Sequence, residues 1–132
     1  GGVPAETSLK YHNNIETLFE KDKQVMLVDF LWNDPRDIET WEISHRKFGK
    51  HFGKSVTKKW LDASNTCVIV RSHEPCQGFK IDHDGMILTI FSCKESYPSF
   101  DAGYIAVTKM QLEKIGNAID LANYVRKIKR DG

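Results

Sequence analysis

Residues 66–70, Thr-Cys-Val-Ile-Val, form a run of strand formers with no polar alternation. A run of that kind reads as a strand covered on both faces, so the rest of the chain must supply layers to cover it. Helical spacing supplies them. Tyr11, Ile15, Leu18 and Phe19 predict a helix near 8–21, and residues 54–64 put Val56, Trp60 and Ala63 on one helical face. A second apolar run, Gln24 to Leu31, reads as another buried strand, stopped by the turn chemistry of Asn33-Asp34-Pro35. Residues 78–82 and 86–91 predict two strands of a hairpin turning at His83-Asp84-Gly85, and residues 103–107 a further strand. Thr108 and Gln111 have capping-box spacing, and Leu112, Ile115, Ile119, Ala122, Val125 and Ile128 predict a final helix over 109–130. Its Lys/Arg-rich end would suit the negative end of the helix dipole. Long loops are expected over 36–53 and 92–102. Together these elements predict a mixed α/β layer architecture whose last three strands are sequential and antiparallel.

With 132 residues the chain is one domain at most, or a large piece of one. A net charge of +1 gives no reason to expect a nucleic-acid or membrane partner. The charge is nevertheless uneven. Asp29, Asp34, Asp37, Glu39 and Glu42 precede Arg46, Lys47, Lys50, Lys54, Lys58 and Lys59. Cys67, Cys76 and Cys93 lack CxxC spacing, which favours a reduced intracellular protein, and a cytoplasmic location is expected. No apolar run approaches bilayer length. Gly1-Gly2-Val3-Pro4 carries neither an initiating Met nor a signal-peptide pattern, so the chain is expected to start partway into a longer protein.

Three residues are candidates for chemistry on their own placement. His73, in Arg71-Ser72-His73-Glu74, follows directly on the buried run, where a strand end can hold a ligand rigidly at a cleft. A structural or surface histidine fits the same position. Arg46 lies in a basic loop interleaved with Phe48 and Phe52, and an arginine can grip two phosphate oxygens at once. On the residues alone, a solvated basic face is the more ordinary reading of that stretch. Asp34 could position such an arginine or simply cap its turn. His45, His51 and His83 have no metal spacing among themselves, and zinc built from them with the cysteines is a weak signal.

Taken in order, these segments resemble the second half of the catalytic domain of PPP-type serine/threonine protein phosphatases, the calcineurin-like metallophosphoesterases. That half-domain runs HGG, LLWSDP, an arginine shortly before FG, RAHQ or RSHE, FSAPNY and a GA(Y) strand. Here the corresponding residues are Gly1-Gly2, Phe30-Leu31-Trp32-Asn33-Asp34-Pro35, Arg46 with Phe52-Gly53, Arg71-Ser72-His73-Glu74, Gly78-Phe79, Phe91-Ser92 and Gly103-Tyr104-Ile105. The match runs from Gly1 to about Val107, with the final helix outside it. The resemblance implies the C-terminal half of an α/β/β/α sandwich, with a mixed sheet and flanking helices. It implies that His73 is a metal ligand, that Arg46 binds phosphate in catalysis and that Asp34 supports the site. Tyr97 would contact substrate, although ungapped alignment puts Ser96 at the family's cleft tyrosine. It further implies two divalent ions (Mn, Fe or Zn) in the complete domain, a phosphoprotein substrate and attack by a metal-bridged hydroxide.

The departures shape these expectations. The histidine of HGG and the GDxHG, GDxxDRG and GNHE motifs are absent, and with them most of the ligands and the general acid. This chain alone is therefore expected to be inactive, with the missing N-terminal half of the domain as its partner and itself giving at most one ligand. Two alternatives stand beside the enzyme reading. One is a non-catalytic protein-binding half-domain. The other is a basic nucleic-acid module using residues 46–59, whose binding would fall steeply with salt.

Overall fold

Asn33-Asp34-Pro35 terminates a helix, not the strand expected before it. The structure, a computed structural model, describes residues 2–4, 23–46 and 48–128. The helix expected near 8–21 lies outside the described residues. The chain divides into two compact units, Gly1–Thr66 and Cys67–Gly132.

In the first unit, helix α1 spans Lys23–Trp32. Periodicity cannot separate a continuous apolar run in a strand from one in a helix, and length is the arbiter. The run of eight fits a strand, but the element it belongs to extends to ten residues, helix length. Its exposure agrees, since Leu27, Val28, Leu31 and Trp32 face solvent while Asp29 and the following Asn33 are buried. The expected 36–53 loop is correspondingly shorter, because it contains two strands. Strand β1 (Asp34–Pro35) pairs in parallel with β3 (Lys50–Phe52), which pairs antiparallel with β2 (Trp41–Ile43). Strands of three residues are too short to display alternation, so no period announced them. Helix α2 (Lys54–Ser64) follows as expected and is closed by Asn65 in the left-handed conformation, φ 51°. Its buried face is Val56, Thr57 and Leu61, rotated from the face expected through Trp60 and Ala63.

In the second unit, β4 is Ile69–Arg71, displaced toward the C-terminus of the Thr66–Val70 run. Val70 is half exposed and Arg71 buried, so the full cover expected for the run does not extend along it. The hairpin is present: β5 (Phe79–Asp82) pairs antiparallel with β6 (Ile87–Ile90), and His83, Asp84 and Gly85 all take positive φ at the turn. β4 joins β6 in parallel, with Arg71 opposite Thr89. Directly opposed residues share a face, so Arg71, Thr89 and Lys80 form one row across β4-β6-β5.

Residues 109–130 do not form one helix. The capping box is present, with Thr108 N donating to Gln111 Oε1 at 2.8 Å and Gln111 N to Thr108 Oγ1 at 3.3 Å. Helix α3 nonetheless ends at Leu112 (Lys109–Leu112). After Gly116, Asn117 caps a new helix, α4 (Ala118–Ala122), accepting from the backbone of Ile119 and Asp120. A strand, β8 (Val125–Lys127), then pairs antiparallel with β7 (Gly103–Ile105), which was expected to extend the hairpin sheet. The apolar positions still serve the core. Ile115, Ala118 and Leu121 pack with Leu88 of β6, backed by Ile81, Ile90 and Ile105. Each of the leucine and isoleucine side chains, where fully buried, contributes about 1.5–3 kcal/mol by leaving water. Among the described residues no helix is long and apolar enough to cross a membrane.

Candidate functional site

Asp34 gets its position from β1, whose pairing with His51 and Phe52 fixes the backbone. Just before it, Asn33 is fully buried and acts as a three-way tie. Its Nδ2 donates to Val3 O at 2.7 Å, and its Oδ1 accepts from Lys50 N at 2.7 Å. Gly2 donates to Phe30 O at 2.7 Å and lies so close to Asn33 that a Cβ there would overlap its backbone. The turn is thus fastened on both sides before any charge is considered.

Asp34 itself is 2% exposed, and two arginines bear on one of its oxygens. Arg46 Nη1 lies 3.7 Å from Oδ2, and Arg36 Nη2 lies 4.0 Å from the same atom. Arg46 follows the buried Ser44, whose Oγ accepts from Arg46 N at 3.2 Å. Its side chain remains 54% exposed. The carboxylate therefore does more than cap its turn: it orients a guanidinium that reaches water. At such exposure the pair adds little stability, and its effect is placement. Nearby, Glu42 and His51 oppose each other across β2 and β3, with His51 Nδ1 3.8 Å from Glu42 Oε2.

His73 belongs to the second unit and stands at φ 91°. A side chain other than glycine pays roughly 1–3 kcal/mol for such a backbone, which persists only where neighbours hold it. The neighbours here flank it in sequence. Arg71 Nη1 donates to Glu74 Oε2 at 2.7 Å and to Thr89 Oγ1 at 3.3 Å, and the Arg71 side chain is 1% exposed. This buried pair brackets His73 as a clamp across the turn. Beyond it, burial pushes the Cys76 thiol up, with Lys80 pulling the other way. Lys80 Nζ in turn lies 3.0 Å from Asp82 Oδ1.

Tyr97, also in the second unit, packs edge-on against Phe91 (5.6 Å between ring centroids) and Phe100 (6.1 Å). With Phe91 on Phe100 at 5.8 Å, the three rings close a triad that shapes the 92–102 loop. Ser92 Oγ donates to Gly103 O at 2.6 Å at the base of that loop. Its mouth is nearly all backbone: Gly103 N donates to Phe91 O, Phe91 N to Gly78 O, and Gly78 N to Asp101 O. A Cβ at Gly103 would stand 2.9 Å from Gly78 O, so this approach requires glycine.

The structure thus brings Asp34 and Arg46 together, while His73 and Tyr97 lie in the other unit. Among the described residues no three His, Cys, Asp or Glu side chains come together as a metal would need. What the described residues do assemble is the Arg46 guanidinium beside the buried Asp34 carboxylate. Sequence reasoning missed Arg36, the Asn33 tie and the Arg71–Glu74 clamp. Arg36 had a signal, being two residues from Asp34.

No family model matches the chain. Curated proteins do. A probable serine/threonine-protein phosphatase of Encephalitozoon cuniculi is 30% identical over 129 residues, which is 96% of this chain and 28% of that protein. The serine/threonine-protein phosphatase 4 catalytic subunit of Saccharomyces cerevisiae is 33% identical over 94 residues, 70% of this chain and 30% of that one. Serine/threonine-protein phosphatase 5 of Arabidopsis thaliana is 35% identical over 79 residues, 59% of this chain and 15% of that one. The chain therefore spans less than a third of each of these relatives. Among solved structures, a protein serine/threonine phosphatase from Saccharomyces cerevisiae matches with TM-score 0.72 at 20% identity. That match covers the whole of this chain and 43% of the other.

Proposed function

From a chain similar in sequence and in fold to part of the serine/threonine-protein phosphatases, we propose that it forms the phosphate-gripping part of a phosphoprotein phosphatase hydrolysing phosphate monoesters. The observation carrying this reading is the half-exposed Arg46 guanidinium oriented by a carboxylate that is 2% exposed. A guanidinium in that state presents a planar fork to an incoming phosphoryl group, and its charge offsets that of the equatorial oxygens as the ester bond breaks. Asp34 supports it from behind, Tyr97 forms wall and His73 gives a ligand.

The reading carries two divalent ions, Mn, Fe or Zn, with most of their ligands supplied by the N-terminal half of the domain. This chain's share is one imidazole, and its activity by itself is nil. The substrate class is a phosphoserine or phosphothreonine protein, and the location cytoplasmic. The test is p-nitrophenyl phosphate turnover by the full-length protein. Arg46→Ala should lower kcat/KM by about 10²–10³-fold, the scale of losing one charge-stabilising donor, with the circular dichroism spectrum unchanged. Turnover within twofold of wild type would remove Arg46 from the site. A folded full-length protein that hydrolyses no phosphate monoester would leave the protein-binding alternative in its place.

A further inference from the structure

A long side chain is only as well placed as the backbone it hangs from, and the backbone at Arg46 has one visible anchor. Strand β2 ends at Ile43, which is 83% exposed, and His45 and Arg46 are exposed as well. Between them Ser44 is 6% exposed. The chain thus touches down at a single residue as it leaves the sheet, two positions before Arg46. A serine brings little apolar surface, so hydrophobicity does not explain its burial, and a buried hydroxyl needs a hydrogen-bond partner. Here Ser44 Oγ accepts from Arg46 N at 3.2 Å. Short polar side chains make such bonds to the backbone two residues on, and the bond fixes the turn.

Among the described residues, two polar contacts hold Arg46, one at each end of it. The backbone is held by Ser44 Oγ, and Nη1 lies 3.7 Å from Asp34 Oδ2. Charge-assisted hydrogen bonds close to about 2.7–2.9 Å, so Asp34 steers the guanidinium without fixing it. The origin of the arm is therefore set by the serine. A grip on a reacting group depends on that origin, since a misplacement of about 1 Å can cost about 10²-fold in rate. We propose that Ser44 is a positioning residue for phosphate-ester hydrolysis, acting through Arg46 by fixing the backbone from which the guanidinium reaches Asp34. This rests on the reading of Arg46 as the phosphate-gripping residue. Ser44 itself does not touch the substrate.

The experiment is a double-mutant cycle on p-nitrophenyl phosphate turnover by the full-length protein. Ser44→Ala should lower kcat/KM about five- to tenfold, the scale of one neutral hydrogen bond. Ser44→Thr keeps the hydroxyl and should stay within about twofold of wild type. Ser44→Cys fills the site but accepts only weakly, so it should match the alanine variant and replaces it if alanine does not fold. In the Arg46→Ala background Ser44→Ala should cost nothing further, because a residue acting only through Arg46 has nothing left to place. A purely structural role would give the same added loss in both backgrounds, and that result overturns the inference. So does Ser44→Ala within twofold of wild type, or Ser44→Thr as slow as Ser44→Ala, each with Arg46→Ala impaired, and in these cases the reading of Arg46 stands. Arg46→Ala within twofold of wild type, or no turnover by the full-length protein, overturns both.

Discussion

Replacing Glu74 with alanine would take from the Arg71 guanidinium, 1% exposed, the carboxylate at 2.7 Å, for which the Thr89 hydroxyl at 3.3 Å is a weaker neutral acceptor. Removing one partner from a buried ion pair destabilises by about 3–5 kcal/mol, because the survivor keeps its desolvation cost without its partner. Thr89 and the edge position of Glu74, whose side chain is 13% exposed, set the expectation at the lower end, about 3 kcal/mol. Urea denaturation of the chain, followed by circular dichroism, reads this as a lower midpoint at unchanged slope. Glu74→Gln keeps an acceptor in place and should lose only about half as much. The double change Arg71→Met with Glu74→Leu should recover most of the loss, since a buried pair replaced whole by apolar groups is often neutral. The backbone at His73 should respond too: without the clamp, φ 91° should relax toward the ordinary negative range, seen in its amide–alpha proton coupling. A loss below about 0.5 kcal/mol for Glu74→Ala would show that the pair neither supports the sheet nor holds the histidine.

Two further expectations follow from local geometry. Asn33→Ala removes both the Val3 and Lys50 bonds at a fully buried position and should cost about 2–4 kcal/mol in the same urea assay, with near-wild-type stability as the contrary result. The Lys127 ammonium, 2.6 Å from Asp101, holds that carboxyl below the usual carboxylate range, chiefly by its hydrogen bond. A depressed value means that the stability it brings is present at neutral pH and lost as pH falls through the folded-state value. Lys127→Met should therefore move the Asp101 carboxyl titration upward by NMR, and an unmoved titration would show that the ion pair does not set it.

Where local chemistry decides the outcome, the sequence was legible. The Asp-Gly hairpin, the Thr108–Gln111 capping box and helix α2 each follow from side chains acting on their own backbone. Three other readings met competing physics. Residues 24–31 are mostly apolar, with Gln24 and Asp29 as exceptions, so hydrophobicity could not distinguish strand from helix, and the exposed Leu27, Val28 and Leu31 break the rule that such runs are buried. The 109–130 pattern has a sound helical period, yet Gly116 and Asn117 interrupt it with a breaker and a new cap. The short β2 and β3 owe their existence to pairing across the chain, which no window of neighbours contains. The same division governs the site. A resemblance carried by short motifs singled out Asp34 and Arg46, the likeness to serine/threonine-protein phosphatases agrees with that resemblance, and the two side chains stand together. Arg36 and the clamp around His73 were not singled out, because their meaning depends on which carboxylate oxygen each guanidinium reaches.

The facing glycines 78 and 103 have a bearing on how this chain can drift. Where peptide groups, helped by Ser92 and Gln77, tie off a segment at its base, most residues strung between the knots are released from the task of holding it shut. Apart from Tyr97, whose ring is packed on Phe91 and Phe100, the stretch from Cys93 to Ser99 can then exchange its contents while the strands on either side keep their spacing. Variation should gather inside that bight and stop abruptly at Ser92 and Gly103.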